Sequence, residues 1–339
     1  MKLNLLKNKT VFISGGTGSF GKKMTHFLLN NTKVNKVIIY SRDEQKQSLL
    51  KRQYKSKRIR LFLGDVRDYD RLNFAMKEVD IVIHAAALKH VDLAEYNPFE
   101  YIKTNIIGAQ NIIQTSLNHQ VQRVIALSTD KASSPINLYG ATKLISDKLF
   151  VAANNFKGNK KDIRFSVVRY GNVMGSRGSI IPILIEQKNK DLFTITNPDM
   201  TRFNITLTQG VNFVLHSLNE MLGGEIFIPK LESYKLIDLV KAISEKTKIK
   251  YIGLRPGEKM HEEMISFNES KNVVEFKNYY VIVQDSEYSS MSVEKYKKIN
   301  NSCNRVDVNF SYSSLSNNHY LTKNKIKKLI KDNYSDFEV

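Results

Sequence analysis

The sequence is poor in cysteine, proline and glycine, and it lacks long apolar runs. Cys303 is its single cysteine, which excludes an internal disulfide and a cysteine-ligated zinc site and fits a reducing compartment. The 6 prolines and 16 glycines are too few for a collagen-like or low-complexity chain, and 10% aromatic residues argue against disorder. No apolar run approaches the roughly 18 residues that span a bilayer, and the first residues do not resemble a signal peptide. We therefore expect a cytoplasmic protein that does not bind membranes.

Acidic residues are also in deficit, since 52 Lys and Arg face 33 Asp and Glu, for a formal net charge of +19. A basic balance of this size occurs in proteins that bind nucleic acids, membranes or acidic ligands. Here most of the excess is lysine, spread along the chain among asparagines and isoleucines, without an arginine patch interleaved with aromatic residues. We therefore predict no nucleic-acid partner and favour a small, phosphate-bearing substrate.

Short β-branched segments alternate with amphipathic segments over the first half of the chain, which predicts an α/β fold with a doubly wound (Rossmann) parallel sheet. The predicted strands are Thr10–Ser14, Lys36–Tyr40, Ile59–Leu63, Ile81–Ala85, Arg123–Ser128 and Arg164–Tyr170. The predicted helices are Ser19–Asn30, Asp70–Lys77, Phe99–Asn118 and Tyr139–Asn155, with a further one over Lys323–Asp332. We assign residues 1–172 to a Rossmann domain. Residues 173–339 are mainly a smaller, mixed α/β substrate-binding lobe, interleaved with the first domain and returning to it in part.

A glycine-rich turn follows the first predicted strand. It has the form G-x-x-G-x-x-G between Gly15 and Gly21 and leads directly into a predicted helix. Glycines at these positions permit a tight turn and let the backbone approach a pyrophosphate at the helix N-terminus. Alone, such a turn is also compatible with an ordinary connection, but its place at the first strand–helix junction favours dinucleotide binding. The predicted contacts are Gly15, Thr17, Gly18, Ser19, Phe20 and Gly21.

The residues after the second predicted strand indicate which dinucleotide binds. Ser41 and Arg42 precede Asp43, and an arginine here suits the 2′-phosphate of NADP, whereas an acidic residue would bind the ribose hydroxyls of NAD. We therefore favour NADP as the cofactor of the first domain, and Asp43 keeps NAD open. Further contacts are predicted where the third and fourth strands end and on the next helix. The full set is Ser41, Arg42, Asp43, Lys46, Asp65, Val66, Ala85, Ala86, Ala87 and Thr104.

A tyrosine and a lysine stand four residues apart on the helix that follows the fifth predicted strand. Tyr139 and Lys143 therefore share one helix face. A cationic lysine and an oxidised nicotinamide ring both favour the phenolate, which brings the pKa of Tyr139 within range of general-base catalysis. A Y-x-x-x-K pair is frequent by chance, but this one follows a strand that ends in Ser128-Thr129. This context favours a catalytic pair that also contacts the cofactor.

Together these motifs resemble the extended short-chain dehydrogenase/reductase family. Within it, the chain from about Lys9 to Leu321 is similar to the inverting, 5-epimerising UDP-N-acetylglucosamine 4,6-dehydratases of pseudaminic acid biosynthesis. Tyr139 favours the inverting branch, since related retaining dehydratases often have methionine at this position. The resemblance rests on Gly-Gly-Thr-Gly-Ser-Phe-Gly, Tyr-Ser-Arg-Asp-Glu, Gly-Asp-Val-Arg-Asp, His-Ala-Ala-Ala-Leu-Lys-His, Leu-Ser-Thr-Asp-Lys-Ala, Asn-Leu-Tyr-Gly-Ala-Thr-Lys, Arg-Tyr-Gly-Asn-Val, Gly-Ser-Arg-Gly-Ser, Met-Thr-Arg-Phe and Arg-Pro-Gly-Glu-Lys.

The resemblance implies a redox-neutral elimination that gives UDP-2-acetamido-2,6-dideoxy-β-L-arabino-hex-4-ulose. Tyr139, supported by Lys143, takes the proton of the sugar 4-hydroxyl while tightly bound, recycled NADP accepts hydride from carbon 4. Lys131 is the candidate base for the proton on carbon 5, if burial lowers its pKa, and Asp130 is the candidate acid for the departing 6-hydroxyl. The group that reprotonates carbon 5 stays open, with Tyr139 as one candidate. In isolation, Asp130 and Lys131 would be interpreted as a surface ion pair.

Arginine, lysine and asparagine side chains are expected to bind the diphosphate and uracil of the substrate. Each of them could instead have a structural role. The resemblance also implies a homo-oligomer, a dimer or a hexamer, and no metal. Asn204 and Tyr320 depart from the aromatic residue and the tryptophan that the resemblance leads us to expect, which bears on sugar contacts more than on the reaction. The candidate contacts to UDP-N-acetylglucosamine are Lys89, Asn172, Arg177, Thr194, Arg255, Asn317 and Asn318.

Other functions are compatible with the same scaffold. A retaining 4,6-dehydratase, a UDP-sugar 4-epimerase and a reductase would share the dinucleotide site, although a plain 4-epimerase needs no acid–base pair for carbons 5 and 6. A nucleotide-sugar-binding protein without catalysis would commonly lack the tyrosine or the lysine, and both are present.

Overall fold

The computed structural model describes residues 3–158, 162–175, 179–285 and 291–333. The first half of the chain forms six parallel strands in the order 3-2-1-4-5-6, which is the order of a doubly wound sheet. The fold class is therefore confirmed, and each predicted strand ends within one residue of its observed end. These strands are β1 (Thr10–Ser14), β2 (Lys36–Ser41), β3 (Ile59–Leu63), β4 (Ile81–His84), β5 (Arg123–Thr129) and β6 (Arg164–Tyr170).

The second half of the chain extends the same sheet to ten strands. β10 (Ile226–Pro229) pairs in parallel with β6, and β15 (Tyr279–Ile282) then pairs with β10 in the antiparallel sense. β14 and β16 complete that edge. The central sheet therefore does not stop near residue 172. The added strands are β10 (Ile226–Pro229), β14 (Val273–Glu275), β15 (Tyr279–Ile282) and β16 (Asn304–Arg305).

Seven α-helices accompany the first six strands in the described part of the chain. Helix α2 was not predicted because it is almost entirely polar, and only Gln47 and Leu50 are buried. It begins where the Asp43 side chain accepts a hydrogen bond from the Lys46 N–H at 2.9 Å. The helices are α1 (Ser19–Asn31), α2 (Glu44–Gln53), α3 (Tyr69–Ala75), α4 (Val91–Tyr96), α5 (Pro98–Tyr101), α6 (Gly108–Asn118) and α7 (Leu138–Phe156).

The continuous helix predicted over Phe99–Asn118 is interrupted. A π-helical segment, Ile102–Ile107, separates α5 from α6. Asn105 within it accepts a bond from the Leu88 N–H at 2.9 Å and donates one to the Leu88 carbonyl at 3.0 Å. The widened turn thus fixes the segment after β4 beside the cleft, which agrees with the frequent occurrence of π-bulges at functional sites.

The lobe contains three small sheets among the described residues. One has three strands, β7 (Asn172–Met174), β9 (Thr201–Thr206) and β11 (Glu232–Lys235). The other two have two strands each, β8 (Leu192–Ile195) with β12 (Lys248–Tyr251), and β13 (Glu263–Ile265) with β17 (Tyr312–Ser313). Its helices are α8 (Ile180–Lys188), α9 (Leu207–Glu220), α10 (Leu236–Ile243), α11 (Val293–Ile299) and α12 (Lys323–Asn333).

Two large hydrophobic cores and a small cluster of Ala94, Tyr101 and Tyr139 form among the described residues. Side chains of α9 join the core of the main sheet, whereas α8, α10 and α12 share a separate cluster. Ile326 and Ile330 of α12 are fully buried in that cluster, so the helix predicted near the end of the chain is confirmed. Within the described ranges, no helix combines the length and the apolar character needed to cross a bilayer.

Candidate active site

Two adjoining cavities open where β1, β4, β5 and β6 end at their carboxyl edge. In a doubly wound sheet the connections leave β1 and β4 on opposite faces, which opens a cleft at this edge. The larger cavity has a volume of about 470 Å³ and the smaller one about 300 Å³. Both are bordered by Gly15, Gly18, Ala85 and Ala87.

The glycine-rich turn separates these cavities and is tight by necessity. Gly15 has a φ of +65°, and a Cβ there would lie 2.8 Å from the Ala86 nitrogen. A Cβ at Gly21 would lie 2.5 Å from the Gly16 backbone. Only glycine permits both approaches, so the backbone itself forms a wall against which a ligand can lie. The predicted contacts Gly15, Gly18, Ser19, Phe20 and Gly21 line the larger cavity, and Thr17 lines the smaller one.

The smaller cavity carries the predicted cofactor contacts that follow β2, β3 and β4. Burial alone would raise the pKa of Asp65, but hydrogen bonds from Arg67 at 2.7 and 2.9 Å outweigh burial and lower it. Arg42 lies 3.4 Å from the same carboxylate, with 53% of its side chain exposed. The predicted residues that line this cavity are Ser41, Arg42, Asp43, Lys46, Asp65, Val66, Ala85, Ala86, Ala87 and Thr104.

These features fit a dinucleotide. The Gly15 backbone leaves space that a side chain would fill, and the buried Thr104 hydroxyl has no hydrogen-bond partner among the described residues. The Asp43 carboxylate is engaged at the start of α2, where it caps the helix and pairs with the Lys46 ammonium. Arg42 therefore presents the exposed charge at the end of β2.

Tyr139 enters the larger cavity from the first turn of α7 and hydrogen-bonds Thr129 at the end of β5. Burial raises the pKa of Tyr139 to about 12, although the Lys131 charge and the Thr129 hydrogen bond act to lower it. Lys131 is thus the cation that lowers the Tyr139 pKa most. The role that the four-residue spacing predicts for Lys143 stays a prediction. Thr129 is missing from the predicted catalytic set, although its place at the end of the strand was visible.

Lys143 lies in the same cavity and is held by buried groups. Its Nζ donates to the Leu127 carbonyl at 2.8 Å, and burial lowers its pKa although Asp147 acts in the opposite direction. Asp147 accepts a hydrogen bond from Ser128 at 2.8 Å and pairs with the buried Arg169 at 3.4 Å. Asp147 is absent from the predicted site, although it follows Lys143 by four residues, and that spacing was the available signal.

The structure corrects the electrostatics predicted for Lys131. Its Nζ donates to Asp130 Oδ1 at 3.1 Å and to Glu262 Oε1 at 2.8 Å. Burial alone would lower the pKa of Lys131, as expected, but the two carboxylates outweigh burial and raise it. Lys131 therefore holds a proton in this site. Of the two carboxylates, Asp130 acts most strongly and Glu262 second. Glu262 is supplied by the lobe and is absent from the predicted site.

Asp130 is completely buried and does not itself line the cavity, as far as the described residues define it. Burial raises its pKa, which is the direction required of an acid, although Lys131 offsets part of this effect. Its Oδ1 accepts a hydrogen bond from Thr129 Oγ1 at 2.9 Å, and its Oδ2 has no partner in the described part of the chain. Because Thr129 and Lys131 line the cavity, they connect Asp130 to it.

Arg202 also reaches the catalytic centre from the lobe. Its Nε lies 3.6 Å from Glu262 Oε1. Burial would raise the pKa of Glu262, but Lys131 and Arg202 outweigh burial and lower it. Met-Thr-Arg-Phe and Arg-Pro-Gly-Glu-Lys were noted as motifs near these positions, yet no local spacing relates them to Lys131.

The predicted substrate contacts fall into two groups. Lys89 and Asn172 line the larger cavity, and Arg177 lies outside the described residues. The remaining four, as far as the described lining extends, do not reach it. Their order along the chain is Thr194, Arg255, Asn317 and Asn318.

Each of these four has an observed place elsewhere. Thr194 lies within β8 opposite Lys250, and the Asn317 amide donates to the Leu231 carbonyl at 2.7 Å. Asn318 is exposed. Arg255 is also exposed, on the loop that follows β12.

The loop that carries Arg255 is anchored beside the first turn of α7. The Asn137 amide donates to the Gly257 carbonyl at 2.8 Å, and Lys259 Nζ donates to the Ser133 carbonyl at 2.8 Å. Arg255 would move together with this loop. The role of Arg255 in substrate binding stays a prediction.

Comparison with known proteins identifies the family. Proteins described as "Polysaccharide biosynthesis protein" match residues 11–284. The chain belongs to this family. It is 52% identical to the UDP-N-acetylglucosamine 4,6-dehydratase (inverting) of Campylobacter jejuni, over 96% of this chain and 98% of that relative, which confirms the resemblance drawn from the motifs. It is also 42% identical to a UDP-glucose 4-epimerase of Rickettsia bellii, over 86% of this chain and 89% of that relative.

Solved structures agree with the fold. Pen from Bacillus thuringiensis has a TM-score of 0.86 at 38% identity, and the match covers 96% of this chain and 98% of that one. DesIV, a dTDP-glucose 4,6-dehydratase from Streptomyces venezuelae with NAD and TYD bound, has a TM-score of 0.65 at 20% identity, covering 74% and 86%. The latter shows the shared fold alone. Because the relatives are named for more than one reaction, the reaction must be argued from the site.

Proposed function

We propose that the protein is a UDP-N-acetylglucosamine 4,6-dehydratase that inverts carbon 5 and retains NADP. The carrying observation is that Tyr139, Lys131 and the Asp130–Thr129 pair meet at one cavity beside the dinucleotide cleft. Elimination needs one group each for oxygen 4, carbon 5 and oxygen 6, and the site provides these three. The Campylobacter jejuni relative supports the same reaction. The product, UDP-2-acetamido-2,6-dideoxy-β-L-arabino-hex-4-ulose, would enter pseudaminic acid biosynthesis.

A bound nicotinamide cofactor would supply the hydride chemistry between carbon 4 and carbon 6 of the sugar. Residues Gly15–Gly21 would hold its pyrophosphate, because unpaired N–H groups at the start of a helix favour anions. Arg42 is suited to a 2′-phosphate, since its side chain is about half exposed at the smaller cavity and the Asp43 carboxylate is engaged with Lys46. This supports NADP over NAD.

Tyr139 removes the proton of the 4-hydroxyl. Its pKa of about 12 must fall for this role, and the Lys131 charge and the Thr129 hydrogen bond already act in that direction. A bound, oxidised cofactor would add its positive charge to them, because a nearby opposite charge favours the phenolate. Lys143 lines the same cavity, while Lys131 supplies the main charge that acts on Tyr139.

Lys131 removes the proton of carbon 5 once the 4-ketone has acidified it. Because Lys131 holds a proton at rest, that proton must first pass to one of the two carboxylates that contact its Nζ. Asp130 supplies the proton of the departing 6-hydroxyl, and its path to the cavity runs through Thr129 at 2.9 Å or Lys131 at 3.1 Å. The raised pKa of Asp130 supports this role, since the carboxyl must be protonated to donate.

Substrate binding and assembly follow from the same proposal. Lys89 and Asn172 are the described candidates for contacts with the nucleotide-sugar in the larger cavity. Leu93, Tyr96 and Phe99 of α4 and α5 are exposed, which supports a homo-oligomer in which a second copy covers them.

The test is proton and carbon NMR of the purified protein with UDP-N-acetylglucosamine in deuterated water, without added cofactor. A 4-keto-6-deoxy product with inverted, deuterated carbon 5 is expected, and it would also show that the cofactor is retained. Deuterium at carbon 5 with unchanged configuration would indicate a retaining dehydratase. No turnover with NADP or NAD added would refute the substrate assignment.

A second candidate is a UDP-sugar 4-epimerase, favoured by the Rickettsia bellii relative. Epimerisation at carbon 4 needs Tyr139 and the cofactor but leaves the Asp130–Lys131 pair without a task. The same NMR experiment with UDP-glucose and UDP-N-acetylglucosamine separates the two, because an epimerase yields a 4-epimer without deuterium at carbon 5.

A further inference from the structure

Glu262 is a buried carboxylate that the lobe contributes to the catalytic centre. It stands immediately before β13, where its N–H donates to Ser314 Oγ at 2.9 Å and its carbonyl accepts the Ser314 N–H at 2.7 Å. These two hydrogen bonds fix its backbone, and its side chain is only 3% exposed. Glu262 is therefore a preorganised part of the site and not a mobile surface acid.

The carboxylate of Glu262 lies closer to Lys131 than that of Asp130 does. The distances from Lys131 Nζ are 2.8 Å to Glu262 Oε1 and 3.1 Å to Asp130 Oδ1. An ammonium carries three hydrogens, so two of them point at carboxylates and one is left for the cavity that Lys131 lines. The two carboxylates together thus decide where the amine points.

We propose that Glu262 is a positioning residue for Lys131. Glu262 aims the Lys131 amine at the substrate and sets how readily that amine gives up a proton. The proposal rests on the function proposed above. The proposal gives the two acids different roles. Asp130 donates a proton to the departing hydroxyl through Thr129, whereas Glu262 positions Lys131. The second carboxylate oxygen of Glu262 can still accept a hydrogen bond, since this buried Oε2 has no hydrogen-bond partner among the described residues.

The groups that face Glu262 come from several elements. Arg202 on β9 lies 3.6 Å from its Oε1, and Lys131 lies 2.8 Å away after β5. Lys259 in the preceding loop adds a more distant positive charge. Burial raises the pKa of Glu262, but these cations outweigh it, so Glu262 is ionised at neutral pH. Neutralising Glu262 therefore leaves Lys131 with Asp130 as its contacting anion and lowers the pKa of Lys131.

The first test measures Lys131 without any substrate. Trace acetic anhydride labels the purified full chain at a series of pH values, and peptide mass spectrometry follows acetylation of Lys131. In Glu262→Gln the midpoint should fall by at least about one pH unit, so labelling below the midpoint rises about tenfold. The matched control is Glu263→Gln, because Glu263 accepts a hydrogen bond from Ser134 at 2.8 Å instead of contacting Lys131. Its midpoint should equal that of the wild type.

A second readout connects this change to the reaction. The pH dependence of deuterium incorporation at carbon 5 of UDP-N-acetylglucosamine should move to lower pH in Glu262→Gln, as the labelling midpoint does. A merely structural role would lower the rate at every pH and leave the profile unmoved. If the wild type forms no product, the proposed function fails while the labelling still decides the role of Glu262.

An unchanged labelling midpoint in a Glu262→Gln protein that melts like the wild type would overturn the proposal. If that variant does not fold, Glu262→Asp provides the test, because it keeps the negative charge but shortens the side chain by one methylene group. Its midpoint should fall by less than one pH unit, and a midpoint equal to that of the wild type would equally refute the role.

Discussion

The two sides of the active-site cleft are built by different means. On the cofactor side, the glycine-rich turn brings backbone against backbone, so that a Cβ at Gly21 would lie 2.5 Å from Gly16. On the catalytic side, Asp130, Lys131 and Glu262 bring buried charges together at 2.8 and 3.1 Å. The first side should therefore be sensitive to added volume. The second should be sensitive to lost charge or hydrogen bonding at constant volume.

The largest effect is expected from Tyr139→Phe, which keeps the ring and removes the hydroxyl. Turnover should fall by about 10²–10⁴-fold, since general-base catalysis contributes that much, while the melting temperature changes little. Product formation by NMR and a thermal melt measure the two. Tyr69→Phe is the control, because the Tyr69 hydroxyl accepts a surface hydrogen bond from Asn118. Turnover of Tyr139→Phe within about tenfold of the wild type would remove Tyr139 from the chemistry.

On the cofactor side, Gly21→Ala adds one methyl group where there is no space. The turn must shift away from the Gly16 backbone, and overpacking of this kind costs about 1–3 kcal/mol, or about 5- to 150-fold in cofactor affinity. Titration calorimetry with NADP measures the loss. Gly210→Ala in α9 is the matched control, since the nearest atom to its new Cβ is 4.0 Å away. That variant should gain about 0.5–1 kcal/mol of stability and bind NADP normally.

The buried His84 lies on the cofactor side of the cleft, and its protonation shows whether the fold tolerates a charge there. Its Nδ1 lies 2.7 Å from Ser14 Oγ, and burial followed by the Lys143 charge lowers its pKa from 6.5 to about 3. Between these pH values the unfolded chain binds a proton that the folded chain does not, so stability falls as pH falls through this window. From pH 6.5 to 5 the loss should be about 2 kcal/mol. Urea unfolding should show a smaller acid loss in His84→Asn, and an equal loss would contradict the prediction.

The smallest effect is expected from Arg42→Ala. Its side chain is 53% exposed, so solvent screens its contribution, and NADP affinity should fall only about tenfold. NAD affinity should change less than about threefold, because NAD has no 2′-phosphate. Dissociation constants for both cofactors measure the difference. Equal losses for NADP and NAD would show that Arg42 does not select the 2′-phosphate.

The cofactor side was also the side that the sequence predicted well. The parallel strands other than the edge strand β3 are buried along most of their length, so they form nearly continuous apolar segments that end at recognisable turns. The glycine turn and the Tyr139–Lys143 spacing are likewise local patterns. Local patterns persist in the fold because neighbouring residues impose them.

The catalytic side depends on contacts that no local pattern reveals. Glu262 meets Lys131 across a long stretch of chain, and it adds to Asp130 in reversing the pKa direction expected for Lys131. Arg255 carries a suitable charge for a diphosphate, yet its loop leaves it exposed. Neither outcome follows from residue type, because each depends on how the lobe packs against the sheet.

The interleaving of the lobe with the sheet also has a consequence for synthesis of the chain. β10 leaves the ribosome before β15, so the growing sheet ends in a strand whose outer hydrogen-bonding groups have no partner until Tyr279–Ile282 follows. An unpaired edge of this kind pairs readily with other chains. Glu262 lies between these two strands in the sequence. A nascent chain released before Tyr279 would therefore be prone to aggregate, and the full chain closes its sheet only after Glu262 has been made.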